Sequence, residues 1–374
     1  MTFLSVPPAF DWPFQFCAAV TVVCYVASVV TANVSQVDRL WTFLPTIYTA
    51  YYALLPLWPT HQPFFLVPYA PKSLGHAVLK DYSPRAVLML ALSVIWMCRL
   101  SYNTYRRGLF NLKDEDYRWA ILRSQLPAWL FQLTNITFIA AIQNFLLLLL
   151  GMPAFTAAAL QPHTDLSLSD YALAITALTI LGLEFVADNQ QYAFQTYKHA
   201  YLAHVKGNKG EPYDEKKQWL LARLDWTPSD ARRGFVTKGL WRYSRHPNFA
   251  CEQTFWWIMT LFPLASSSPP SLPSFPSLQI LANPELRTAA LMGFFRQAGL
   301  VLLPALALST LFISSTLYTE AITRKKYQVA YAAYQKRVGM FLPIKAAVTG
   351  LFCDKHTDKL IWGEFYGSKA SKSE

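Results

Sequence analysis

The stretch Gly239–Glu252, GLWRYSRHPNFACE, places two arginines, a histidine, an asparagine and a glutamate within fourteen residues. The apolar run FWWIMTLFPLA, residues 255–265, follows almost at once. Charged and hydrogen-bonding side chains at the point where a chain enters a bilayer are costly unless they hold something, so this stretch is the candidate site. A basic juxtamembrane segment resting on anionic headgroups accounts for Arg242 and Arg245. It gives no reason for Asn248 and Glu252, which lead into the apolar run.

The rest of the chain says that this boundary is a membrane boundary. A length of 374 residues would suit two soluble domains, but 53% of the chain is hydrophobic, 15% is charged and the mean hydropathy is positive. That balance predicts an integral membrane protein. A net charge of +11 is compatible with nucleic acid, yet the lysines and arginines fall between apolar stretches and form no binding face. No nucleic-acid partner is expected. The five cysteines show no CxxC, and the pair His199 and His204 misses the i,i+4 spacing of a helical metal pair. Neither a disulfide framework nor a bound metal is expected.

Seven apolar segments reach or approach the length of a bilayer crossing: residues 14–32, 42–58, 84–101, 127–151, 171–187, 251–265 and 289–317. The fold class they predict is all-α, a polytopic membrane helix bundle of about seven transmembrane helices. Residues 1–374 are read as a single membrane-embedded domain. Pro45 and Pro56 interrupt the second segment, and the sixth ends at Pro263. The first segment has no basic stretch before it and no convincing cleavage site after it, so it is expected to be a retained span.

Orientation follows from charge. Of the 33 lysines and arginines, 27 fall in residues 33–41, 102–126, 188–250 and 318–374. The positive-inside rule puts these segments and the C-terminus in the cytosol, and the N-terminus outside or in the lumen. The NVS sequon at Asn33 then lies on the cytosolic side, where it escapes glycosylation.

Several polar positions stand out. Arg99, Asn103 and Arg106 are spaced to share one helical face, which suits either a phosphate or snorkelling to headgroups. The run Asp114–Glu115–Asp116, followed by Arg118 and Trp119, reads as a solvated loop or as a packed cytosolic lid. Glu184, Asp188, Gln191 and Gln195 draw one polar stripe along a helix leaving the membrane, and two carboxylates there need a cation, a hydroxyl or a ligand. No GxGxxG fingerprint and no Walker loop occurs, so a nucleotide would be held by arginines and lysines. Arg324, Lys325 and Lys326 follow the last span, with Tyr331 and Tyr334 beyond them on an expected amphipathic helix.

Taken together, GLWRYSRHPNFACEQTFWW, LEFVADNQ, VDRLW, RLSYNTYRRG with DEDYRW, and the ending from Tyr334 to Pro343 resemble domain-of-unknown-function family 1295. That family is similar to the steroid 5-alpha-reductases and, more distantly, to the sterol reductases. The resemblance implies an NADPH-dependent membrane reductase that acts on a carbon–carbon double bond, an ene or enone, of an apolar lipid or sterol-like substrate. It also implies an endoplasmic-reticulum location and a cofactor arriving from the cytosol. Residues 14–151 would be the substrate-side helices, 171–345 the cofactor-binding half and 346–374 a solvated tail.

Carried over position by position, the implied cofactor residues are Arg106, Arg107, Glu184, Asp188, Arg242, Arg245, His246, Asn248, Glu252, Lys326 and Tyr334. Cations would hold phosphates, carboxylates would take ribose hydroxyls, and Asn248 or Glu252 would orient the carboxamide. The glutamate and tyrosine that polarise the enone in steroid reductases correspond here to Phe43 and Ile95. A hydroxyl donor is therefore sought among Tyr48, Tyr51, Tyr52 and Tyr102, with Tyr48 and Tyr102 the catalytic candidates. Two rival readings share these features. The RHP core and the ending YQKRVGMFLP also resemble isoprenylcysteine carboxyl methyltransferases, which use S-adenosylmethionine, and the topology also suits a non-catalytic seven-span lipid-binding protein or receptor.

Overall fold

A computed structural model describes residues 7–208, 211–350 and 355–363. Among these the regular structure is helical, and the only β-type pairing is an isolated parallel bridge between Ser244 and Gly339. Five helices are long and apolar enough to cross a membrane: Pro8–Thr31 (α1), Pro84–Arg106 (α3), Ala128–Leu160 (α4), Leu168–Val205 (α5) and Pro284–Lys326 (α8). The protein is an integral membrane protein of the all-α class.

The expected second span is corrected. Its helix, Leu44–Ala53 (α2), has ten residues, and at 1.5 Å per residue it reaches about half the hydrocarbon thickness. Pro45 starts it and a separate 3-10 turn, Leu55–Leu57, follows it, so apolar composition alone overstated its length. The expected sixth span is the eighteen-residue helix Pro247–Leu264 (α7), whose first turns carry Asn248, Glu252 and Gln253 and which is not among the five long apolar helices.

The chain divides into two compact units, Met1–Leu178 with Phe255–Thr310 and Thr179–Thr254 with Leu311–Glu374, the divisions falling inside α5, α7 and α8. In the first unit α2 lies against α3, and Tyr48, Tyr51, Tyr52, Trp96, Phe255 and Trp256 are all at most 1% exposed. The outer face of α1 presents Val22, Val23, Val26, Val29 and Val30, exposed side chains that suit lipid. Near one end, Arg85 makes a buried bidentate pair with Asp170 (2.7 and 3.0 Å). Gln161 accepts from Arg85 at 3.2 Å and donates to the carbonyls of Pro263 and Ser268 at 2.7 and 2.9 Å.

The acidic run is packed, as the lid reading expected. Arg39 donates to the carbonyls of Asn111 and Asp114, Trp119 donates to Asp38, and Glu115 accepts from Val34 N–H and Arg123. Asn33 is itself part of this lock: its amide donates to the carbonyls of Leu112 and Asp114 at 3.1 and 3.0 Å and is 6% exposed.

The second unit holds the opening motif. Its other helices are Pro228–Arg233 (α6), Gln328–Arg337 (α9), Ile344–Gly350 (α10) and Lys355–Trp362 (α11). Thr227 and Asp230 form a reciprocal capping box at the start of α6, which ends at Gly234 with φ +89°. Phe235, Tyr331, Tyr334, Val338 and Ile361 make one apolar cluster. The expected solvated tail, 346–374, is therefore folded in part, because Ile361 is fully buried on that cluster. Residues 351–354 and 364–374 of that tail lie outside the described residues.

Candidate functional site

The motif begins at Gly239, whose φ of +64° suits a residue without Cβ. A Cβ there would also stand 2.4 Å from Gln190 Oε1. The close approach serves a contact: Leu240 N–H donates to that oxygen at 2.9 Å, while Gln190 Nε2 reaches the carbonyl of Leu221 at 3.1 Å. Trp241 then donates from Nε1 to the carbonyl of Ala187 at 3.2 Å. A turn of helix later, Asn248 Nδ2 donates to Asp188 Oδ1 at 3.1 Å, and its own Oδ1 accepts from Phe249 N–H at 3.0 Å. Three successive contacts thus join the motif to Ala187, Asp188 and Gln190, the stretch LEFVADNQ that the sequence had set beside it.

Around that seam sit side chains that water normally keeps. Glu184, Asp188 and Glu252 are 2%, 4% and 5% exposed. Buried acids and amides on two neighbouring helices form a hydrogen-bonding surface able to take hydroxyls and a carboxamide.

Arg245 and His246 are turned the other way. Arg245 grips Glu320 with Nε and Nη2 at 2.6 and 3.0 Å, and its Nη1 donates to the carbonyl of Val338. His246 Nε2 meets the same carboxylate at 2.9 Å, and Gln335 Nε2 completes it at 2.9 Å. Backbone staples lie alongside: Arg245 N–H to Gly339 O at 2.9 Å and His246 N–H to Met340 O at 3.0 Å. Arg245 is 7% exposed and its donors are spent on protein, so it organises the site and is not available as a phosphate ligand. Tyr334 also works inward. Burial pushes its hydroxyl well above the ordinary tyrosine range, so it stays protonated and donates to the carbonyl of Trp241.

Of the other implied cofactor residues, Lys326 is exposed at the end of α8, over the Tyr327 ring at 5.4 Å. Arg242 is exposed and lies over Trp362 at 4.9 Å. Arg106 and Arg107 belong to the first unit, where Arg106 donates to Asn103 Oδ1 at 3.1 and 2.9 Å and covers the Tyr102 ring at 5.0 Å. Tyr102 is itself 42% exposed. Tyr48 is fully buried, and among the described residues its hydroxyl meets no oxygen or nitrogen, with the Cys17 thiol, a weak partner, beside it. Tyr52, one helical turn on, has an equally buried hydroxyl without a partner.

Comparison with known proteins follows the same seam. The model of a family described as a protein of unknown function, DUF1295, matches residues 24–275, more than half of the chain, and includes both LEFVADNQ and the motif. The chain belongs to the DUF1295 family. This DUF1295 protein is also 30% identical over 316 residues to an uncharacterized protein of Schizosaccharomyces pombe, covering 84% of this chain and 74% of the relative. No solved structure matches it. Glu320, Gln335 and Trp362 of the DUF1295 protein lie beyond the matched stretch, and the sequence reading missed all three. Glu320 carried a signal: it is the one acidic residue between 289 and 326, a carboxylate at the end of a long apolar run.

Proposed function

We propose that the protein is an NADPH-dependent membrane reductase acting on a carbon–carbon double bond of an apolar, sterol-like lipid. The observation that carries this reading is the pairing of Asn248 with Asp188 at 3.1 Å beside the buried Glu184 and Glu252. A carboxylate is suited to ribose hydroxyls, and an asparagine whose orientation is fixed by Asp188 and Phe249 N–H can present one defined edge to a carboxamide. NADPH, when bound, supplies a hydride; the chain's own part is to bind it, aim it, keep water out and deliver the proton. For that proton, Tyr48 and Tyr52 offer buried hydroxyls that meet no oxygen or nitrogen partner among the described residues, on one face of α2, in the unit that would hold the substrate-side helices. The basic segments support cofactor delivery from the cytosol, with a cytosolic C-terminus in the endoplasmic-reticulum membrane.

The test is a titration of the full chain in detergent with NADPH and with S-adenosylmethionine, followed by tryptophan fluorescence. NADPH should bind, and both Asn248→Ala and Asp188→Ala should weaken it by tenfold or more, an order-of-magnitude expectation for a lost charge-assisted contact. Binding of S-adenosylmethionine alone would move the site to a methyltransferase. Binding of neither would leave a lipid-binding or receptor protein.

A further inference from the structure

Trp362 ends α11 with its indole between two guanidinium groups, Arg242 at 4.9 Å and Arg337 at 5.3 Å from the ring centre. The ring is held in place. Its Nε1 donates to the carbonyl of Thr237 at 3.1 Å, and the neighbouring Ile361 has no exposed surface. Arg233 grips the end of the helix through the carbonyls of Leu360 and Gly363 at 3.3 and 2.6 Å.

The two arginines on the ring differ. Arg337 is engaged, with Nε on Asp358 at 3.3 Å and Nη1 on Thr349 at 3.0 Å. Arg242 is exposed and, among the described residues, makes no hydrogen bond and no ion pair. Its guanidinium lies over an aromatic ring while its N–H donors meet no acceptor among the described residues. A guanidinium resting over a ring in this way matches an oxyanion such as phosphate, and the contact reduces the side-chain freedom lost when the anion binds. The charge around it favours an anion as well: among the described residues Arg233 and Lys238 share Asp230 and Arg337 takes Asp358, which leaves Arg242 without a carboxylate.

We propose that Arg242 binds a phosphate group of the ligand and that Trp362 is its positioning residue, which makes the C-terminal helix a working part of the site. The assignment of that phosphate to NADPH rests on the reductase reading; the phosphate chemistry does not, and an anionic lipid headgroup is its other source.

The experiment uses the full chain in nanodiscs of phosphatidylcholine, titrated with 2′,5′-ADP. Arg242→Ala should lose most of the binding, and Trp362→Ala should weaken it about three- to tenfold, the span of a partly exposed cation–π contact. Trp362→Phe keeps a ring and should restore binding to within about twofold. Because the Arg242 side chain is exposed and unbonded, Arg242→Ala tests the site without threatening the fold. Unchanged binding in Arg242→Ala and Trp362→Ala overturns the proposal, and so does tighter binding in Trp362→Ala, which would make the indole a plug. If 2′,5′-ADP binding ignores Arg242 while binding of a fluorescent phosphatidic acid depends on it, the phosphate site stands and its cofactor origin falls. NADPH binding that needs Asp188 and Asn248, with neither it nor phosphatidic acid binding depending on Arg242, would sink this proposal and leave the reductase reading intact.

Discussion

Among the described residues each unit of the molecule buries a bidentate arginine–carboxylate pair, and these two pairs have nearly the same geometry. Arg85 meets Asp170 at 2.7 and 3.0 Å, and Arg245 meets Glu320 at 2.6 and 3.0 Å. Their remaining partners differ. Around Arg85 and Asp170 these are Gln161 and Ser167, and Gln161 passes the connection on to the carbonyls of Pro263 and Ser268. Around Glu320 a second side chain, His246, joins Arg245, and both belong to the opening motif. The first pair pins a loop, whereas the second folds the motif itself. A basic member of a recognisable motif can therefore be internal scaffolding, and on the reading proposed above the ligand-facing duty falls to Asn248 and Arg242.

The largest expected effect tests that distinction directly. Removing one partner of a buried ion pair strands the other charge and costs about 3–5 kcal/mol, so Glu320→Ala and Asp170→Ala should lower the unfolding temperature in detergent by similar amounts. Only Glu320→Ala should also abolish NADPH binding, because only it releases the motif. Equal binding losses in both variants would erase the difference between the pairs.

Gly239→Ala should come next. It adds a Cβ 2.4 Å from Gln190 Oε1 at a φ of +64°, a strain of about 1–3 kcal/mol, and it should loosen the motif from α5. Hydrogen exchange at Leu240 would report it, and unchanged protection there would count against the role given to Gln190.

A pH series sharpens the picture of the second unit. Burial pushes the Asp230 carboxyl up, but hydrogen bonds from Lys238 and from the Thr227 side chain and N–H outweigh it and hold it below the ordinary range. A depressed folded value means the stabilisation is complete above the unfolded value, about 3.9, and is lost as pH falls through the folded one. Asp230→Asn should thus cost about 1–3 kcal/mol at neutral pH, and the gap to the parent should close in acid, read by denaturant unfolding from pH 7 downwards. The smallest expected effect is that of Arg242→Ala on stability, within about 0.5 kcal/mol, despite its effect on phosphate binding.

Much of this was legible in the sequence. The polar stripe through Glu184 and Asp188, the motif and the long apolar helices are local patterns, and a periodicity or a composition reports them. What escaped depended on partners far along the chain. Arg245 reads as a ligand-binding cation until Glu320, seventy-five residues away, is placed on it. Tyr334 reads as a dinucleotide contact until its hydroxyl is found on the carbonyl of Trp241. The segment at 42–58 reads as a span because hydropathy cannot tell a core that protein covers from one that lipid covers, and in α2 it is Tyr48, Tyr51 and Tyr52 that are buried. Trp362 followed stretches of ordinary tail composition and gave no local signal.

The backbone staples from Arg245 and His246 to Gly339 and Met340 bear on the order of synthesis. A ribosome that has finished residue 275 has already made the whole family-matched stretch, including every residue from Gly239 to Glu252. Glu320 and the strand of backbone at 338–340 do not yet exist. Until they emerge, Arg245 and His246 have neither their carboxylate nor their staples, so the motif of the nascent chain is unassembled. A stop codon anywhere between residues 276 and 319 would leave the family signature complete in sequence and unassembled in space.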